Sequence, residues 1–464
     1  MKKGFRKIGA VLLTFAMALA MNSTVFAAAS LTGGEVGGFT NPDAPVSQEK
    51  TINIQKELTV YNVNETTINA PTISYTYAIT AGAAGVSVTD ATSDHANNTA
   101  VTVQTKAGVG VSDITLTGTS ANTIAWASTG TVTADTDGAA NYKNLEIDFS
   151  NVVFGAAGVY RYVITETPPA YAASGVTETT STTNPHVRYL DVYVRPAATF
   201  TDGSIADDWD IYGYVCMLES EAITPDGDTT TTGAVKTNGF VAGTNDGAAY
   251  LADSYYTYNV TVSKTVTNDN YAKATHAFPF TVIFTNATVT NAVDISSTTT
   301  GTVGGFTDPA SAALSAGNTK GILTLKDSSS VKYIGIPNGT QIEVYETNDM
   351  AGVTYQVTTT VDGTTSTADD TVDVAVISGT APTTAVAQGS PKGNYESTKA
   401  SFTPGANADD DVAHTIAVDN NLQLISPTGF VVRFAPYMLV LLGGILLITI
   451  GLVIYNKTNK KETA

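Results

Sequence analysis

The sequence predicts an all-β protein built from two tandem immunoglobulin-like β-sandwich domains, with an apolar leader at one end and an apolar helix at the other. Three observations carry this expectation. From about Thr51 onward, short segments rich in Val, Ile, Thr and Tyr alternate in period two. Clusters of Gly, Asn, Asp and Ser separate them at the spacing of sandwich strands rather than of helices. A segment with the character of a first strand occurs twice, as TINIQKELTV and again as YTYNVTVSKTV.

In chain order, residues 1–29 begin with Lys2, Lys3, Arg6 and Lys7, run through apolar Ile8 to Met21, and end in Ala27, Ala28 and Ala29. That is the layout of a secretory signal peptide. Residues 30–253 form the first domain, with strands in TINIQKELTV, VYRYVITET, YLDVYV and DIYGYV. Its excess length is assigned to a Thr, Ala and Gly-rich insertion from Gly82 to Ala140, expected as surface strands or loops without chemistry. Residues 254–422 form the second domain, with YTYNVTVSKTV, FPFTVIF and YQVTTTV. In residues 423–464, Ile425-Ser426-Pro427-Thr428-Gly429 reads as a short extended segment, and 435–455 is an uncharged run able to cross about 30 Å of hydrocarbon as a helix. Lys457, Lys460 and Lys461 follow, which places the tail inside and the body outside the cell.

Lys and Arg total 23 against 42 Asp and Glu, a net charge of −19, so no basic stripe exists to displace phosphate counterions and nucleic acid is excluded as a partner. The single cysteine, Cys216, rules out an intrachain disulfide, and an extracellular body without disulfides needs another staple. His95, His186, His276 and His414 show no metal-site spacing, and nucleophile elbows and phosphate loops are missing. No enzyme of multiple turnover, no cofactor and no metal site is therefore expected. Asp207 with Asp208, and Asp409 to Asp411, read as solvated turns, and Trp126 and Trp209 as core residues.

The informative residues stand on the wrong face of their strands. In TINIQKELTV the apolar positions Ile52, Ile54, Leu58 and Val60 are interrupted by Lys56; in YTYNVTVSKTV the set Tyr258, Val260, Val262 and Val266 is interrupted by Lys264. A register slip would expose each entire apolar set, so both lysines point inward. Glu166 continues the face of Tyr160, Tyr162 and Ile164, and Glu346 that of Ile342 and Val344. Asn420 continues the face of Ile416 and Val418, and Asp253 that of Ala249 and Leu251. A buried ion pair stabilises poorly, because each ion loses its hydration, so a reaction that removes the charges is favoured. Desolvation lowers a lysine and raises a glutamate, which leaves an amine nucleophile and a carboxylic acid able to polarise the Asn or Asp carbonyl. The product is a neutral Lys–Asn or Lys–Asp isopeptide, formed once and within the chain.

The runs AGVYRYVITETPPAY, KTNGF, YTYNVTVSKTVTND, FPFTV and LTLKDSSSVKYIGIPNGTQIEVYET, together with the SPTG ending, resemble Gram-positive sortase-assembled major (backbone) pilins with streptococcal-type isopeptide-linkage domains. The resemblance implies Cna-B-type sandwiches in which a first-strand lysine bonds to a last-strand Asn, assisted by a glutamate. Carried across, it assigns Lys264, Glu346 and Asn420 to the second domain and Lys56 and Glu166 to the first. The first acceptor departs from the pattern: Asp253 fits the spacing and the face, while an insertion at KTNGF could instead deliver Asn238 or Asn245. Ile425 to Gly429, the helix and the basic tail resemble a sortase cell-wall sorting signal, cut between Thr428 and Gly429, with proline one place nearer the cut than in Leu-Pro-x-Thr-Gly. The resemblance further implies pilin-type and housekeeping sortases, other copies of the chain, minor or tip pilins and peptidoglycan as partners. It implies a membrane only before sorting, and a place in the wall or pilus of a Gram-positive cell. The Tyr-Pro-Lys motif that supplies the polymerising lysine is missing, and Lys236 in GAVKTNGF is the candidate in its place. Without such a lysine the chain would be a monomeric wall-anchored stalk or adhesin.

Overall fold

Period-two alternation becomes strand wherever a Val, Ile or Tyr face can be buried against a second sheet, and this happens twice along the chain. The computed structural model describes residues 50–85, 87–90, 101–178, 185–196, 209–218, 237–245, 248–305, 311–347, 353–361, 364–369, 394–401, 414–425 and 427–459. The leader expected at 1–29, Lys236 and Ser426 lie outside the described residues, as do Asp207, Asp208 and Asp409 to Asp411. The chain divides into two compact units, Met1–Tyr256 with Asn291–Val293, and Thr257–Thr290 with Asp294–Ala464. The division falls just beyond the expected junction at 253, inside the strand Asp253–Thr267, where alternation continues with no Gly or Pro to turn the chain.

In the first unit one sheet is centred on Thr51–Tyr61, which pairs antiparallel with Ala139–Asp148 on one side and, on the other, parallel with the start of Asp253–Thr267 and with Gly239–Phe240. The facing sheet runs Trp209–Met217, Val187–Pro196, Gly158–Thr167, Ile73–Ala81, Thr123–Trp126. Ile52, Ile54, Leu58, Val60, Leu145 and Ile147 from one sheet meet Tyr75, Tyr77, Tyr162, Ile164, Leu190 and Val192 from the other, all buried. Each fully buried side chain of this size contributes roughly 1.5–3 kcal/mol of hydrophobic stabilisation.

The second unit repeats the plan. Its first sheet pairs Asp253–Thr267 parallel with His414–Ile425 and antiparallel with Ser329–Pro337. The facing sheet runs Val303–Gly304, Asn318–Leu325, Phe278–Thr285, Gln341–Thr347, Asn394–Ser401. Phe278, Phe280, Val282, Phe284, Leu323 and Val344 are buried on the facing sheet.

Three expectations are corrected. The insertion from Gly82 to Ala140 is not all surface: Thr123–Trp126 joins the facing sheet beside Ile73–Ala81, and Ile124 is buried there with Trp126, the latter in the core as expected, because the alternation TIAW gives that short strand an apolar face. Ala249 and Leu251 do not prolong the strand of Asp253, since Ala248–Tyr250 belongs to a separate hairpin and Leu251 is 56% exposed. Pro427, Thr428 and Gly429 are not extended but open the helix Pro427–Asn459, where a first-turn proline sacrifices no hydrogen bond. Within that helix Tyr437–Tyr455 has a mean hydropathy of 2.7 and is long and apolar enough to cross a membrane.

Candidate functional site

In the first unit the strand Thr51–Tyr61 turns Lys56 inward between Ile54 and Leu58, and only 4% of the residue remains exposed. Its Nζ lies 2.8 Å from Asp253 Oδ2 and 3.0 Å from Glu166 Oε1. Parallel pairing brings Asp253 there: its register partner is Leu58, two residues beyond Lys56 and therefore on the same face. The burial of Asp253 thus comes from the strand it begins, not from the hairpin before it. Glu166 reaches across from Gly158–Thr167 in the facing sheet.

The cluster is closed by residues that strand parity did not single out. Tyr77 donates its hydroxyl to Glu166 Oε2 at 2.7 Å, and His186 Nδ1 lies 3.2 Å from Glu166 Oε1. The other ring nitrogen of His186 lies 2.7 Å from Glu178 Oε1. The Tyr75 ring sits under the amine, with Nζ 4.1 Å from its centroid, and Trp126 packs edge-on against Tyr75. The Phe240 ring is 5.9 Å from the amine. Phe240 is delivered by Gly239, which has φ +133° and a Cα so close to Gln55 that an added Cβ would lie 2.4 Å from the Gln55 carbonyl oxygen. The alternation of ISYTYAIT is the signal that could have placed Tyr75 and Tyr77 inward; His186 carries no local signal, because Glu166 is adjacent to it only through strand pairing.

In the second unit Lys264 Nζ lies 3.0 Å from Glu346 Oε2, and Asn420 Nδ2 donates to Glu346 Oε1 at 2.5 Å. All three side chains are essentially buried, at 0%, 1% and 0% exposure. Asn420 is in register with Val266, again two residues beyond the lysine. The Phe278 ring lies under the amine at 4.5 Å, as the Tyr75 ring does in the first unit. Asn420 Oδ1 has no hydrogen-bond partner. A half-turn of the amide would present that oxygen to Glu346 when the carboxyl carries a proton.

The electrostatics differ between the units. Burial pulls the Lys264 ammonium down, partly opposed by the charge of Glu346. Burial also pulls Glu166 up, but the Lys56 charge and the bonds from His186, Tyr77 and Lys56 outweigh it and hold this carboxyl below its usual range. The expected rise of a buried glutamate therefore does not occur at Glu166, because three donors, one of them the charged Lys56, converge on one carboxylate. Burial first, then the Asp253 and Glu166 charges, raise the phenols of Tyr75 and Tyr171.

Of the other candidate acceptors, Asn238 offers its backbone carbonyl to the Gln55 amide at 2.8 Å, and Asn245 ends the strand Gly243–Asn245 of the separate hairpin. Asp253 is the candidate acceptor whose side chain the structure places against Lys56. Ile425 ends the strand His414–Ile425, while Pro427, Thr428 and Gly429 lie in the helix.

A family model described as a domain of unknown function, DUF7601, matches residues 258–380. No curated protein matches. Solved structures similar to the chain include streptococcal major pilins. The major pilin protein T3.2 from Streptococcus pyogenes shares 18% identity over 82% of this chain and 100% of that one, with a TM-score of 0.34. A second major pilin from Streptococcus pyogenes shares 18% identity over 80% and 98%, with a TM-score of 0.33. An adhesin from Mobiluncus mulieris, described as containing intramolecular disulfide, isopeptide and ester bond cross-links, shares 11% identity over 81% and 100%, with a TM-score of 0.23.

Proposed function

We propose that the chain is a structural subunit of a covalent cell-surface pilus shaft, each unit stapled by its own isopeptide bond. The observation that carries this reading is the repeated register. Leu58 pairs with Asp253 and Val266 with Asn420, so each unit holds a buried lysine two residues short of a buried acyl group, with a glutamate facing both from the other sheet. Two independent pairs of strands have no packing reason to converge on the same ionic arrangement, which burial penalises.

In the second unit the Lys264 amine attacks Cγ of Asn420 while Glu346 moves protons, and ammonia leaves. In the first, Lys56 attacks Cγ of Asp253 and water leaves. Both reactions are unimolecular, since the partners are fixed in place before the chemistry, and high effective concentration replaces an external catalyst. The aromatic rings against each amine exclude water, and a neutral amide costs far less to bury there than the charged groups it replaces.

Sortase cleavage between Thr428 and Gly429, within a segment anchored by the apolar helix, would pass the new C-terminus to a lysine of the next copy, with Lys236 as the candidate, and finally to peptidoglycan. Expression of the chain with a pilin-type sortase in a Gram-positive host, followed by immunoblotting of wall extracts, tests this. A ladder of SDS-resistant multimers is expected, collapsing to monomer with Lys236→Arg. Monomer from both chains would favour a wall-anchored stalk or adhesin, the reading suggested by the missing Tyr-Pro-Lys motif.

A further inference from the structure

The two clusters differ in a way that charge balance makes consequential. Before reaction the first site holds the Lys56 ammonium and the carboxylates of Glu166 and Asp253, one net negative charge. Condensation forms the bond from Nζ to Cγ of Asp253 and breaks one Cγ–O bond, and two protons from Nζ leave with that oxygen as water. Glu166 is then left as a buried carboxylate whose lysine cation has vanished. At the second site the Cγ–Nδ2 bond of Asn420 breaks instead. One Nζ proton leaves with the departing nitrogen as ammonia, the other passes to Glu346, and the site ends neutral. An aspartate acceptor therefore needs one positive charge more than an asparagine acceptor does.

We infer that His186 supplies that charge, as a positioning residue whose cation pairs with Glu166 and whose contact with Glu178 joins the buried carboxyl to solvent. This rests on the cross-linking reading above. His186 bridges the two glutamates, with Nδ1 3.2 Å from Glu166 and Nε2 2.7 Å from Glu178. Side-chain exposure rises along this path from 0% at Glu166 to 17% at His186 and 41% at Glu178, so protons can travel from water to the reacting cluster. Among the described residues Tyr171 also packs against the imidazole, with ring centroids 6.3 Å apart, and Lys56 and Tyr77 bind Glu166 from their own strands. Among the described residues the side chain of Glu346 meets Lys264 and Asn420. The hydrogen bond to Glu166, with that to Glu178, outweighs burial and holds His186 protonated above the usual histidine range.

The test uses the full-length chain, translated cell-free into detergent micelles and chased between about pH 5.5 and about pH 9 to span the histidine range. Tryptic mass mapping follows the Lys56–Asp253 and Lys264–Asn420 linkages separately. The first linkage is expected to slow about tenfold per pH unit above the titration of His186, as for any step requiring one protonated group. His186→Gln should slow it and flatten that profile while the second linkage keeps its rate. Adding Asp253→Asn to His186→Gln should restore the rate, since an asparagine acceptor needs no extra proton, and recovery also shows that the variant folds. A His186→Gln chain with unchanged rate and profile overturns the inference alone, as does a double variant no faster than the single one. Failure of Lys56 to link at any pH, while Lys264 links, overturns the cross-linking of the first unit and this inference with it.

Discussion

Replacing Asp253 by alanine removes the proposed acyl acceptor of the first unit while leaving Lys56 and Glu166 paired at 3.0 Å, so the variant deletes the proposed covalent bond without stranding a buried charge. Lys56 and Asp253 are 197 residues apart in sequence. A cross-link closing a loop of that length removes about 18 cal/mol/K of chain entropy from the unfolded state, or about 5 kcal/mol at 25 °C. For a unit of this size, about 5 kcal/mol corresponds to a fall of about 10–20 °C in Tm. Differential scanning calorimetry of the soluble body, residues 30–424, should show the transition of the first unit lowered by that amount, with that of the second unit as internal reference. Tryptic mapping of the same sample should recover free Lys56. A variant that lacks the linkage yet melts within a degree or two of the parent would refute the claim that the bond is the staple of the unit.

Asn420→Ala should act in the same way on the second unit, whereas Glu346→Gln should be worse by about 3–5 kcal/mol, because it also leaves the Lys264 ammonium buried without a counterion; urea titration of both variants separates the two. In the Asp253→Ala chain, Glu166 is held below its usual range by Lys56, His186 and Tyr77, so its contribution is present above the unfolded carboxylate pKa and is lost as pH falls through the lowered folded value. Stability measured in urea should accordingly start to fall as pH drops through the ordinary carboxylate range and level off only below the lowered folded value, and stability that does not change with pH across that window would contradict the pairing. Thr428→Ala, expressed with sortase, should leave the chain in the membrane fraction with its apolar helix attached, as read by fractionation and immunoblot.

Period two made most of the architecture readable. Lys56, Lys264, Glu166, Glu346 and Asn420 each continue an apolar face, and a sheet cannot turn one such residue outward without turning its neighbours too. What parity could not show was contact between strands distant in sequence. His186 enters the first cluster only because Val187–Pro196 pairs beside Gly158–Thr167. The convergence of His186, Tyr77 and Lys56 on Glu166 reverses the shift that burial alone would give. Asp253 was placed on a face shared with Leu251, but the hairpin ends at Tyr250 and Leu251 turns to solvent. Low complexity concealed Ile124 in the insertion, because a short buried strand of mixed composition has too few apolar positions to announce a period, and only the size of Trp126 marked that strand as a core element.

The most direct measurement is the intact mass of the body, residues 30–424, against its sequence mass. The account predicts a deficit of about 35 Da, about 18 as water from the first unit and about 17 as ammonia from the second, with Lys56 joined to Asp253 and Lys264 to Asn420 in the tryptic map. An unmodified mass in a folded sample would contradict it.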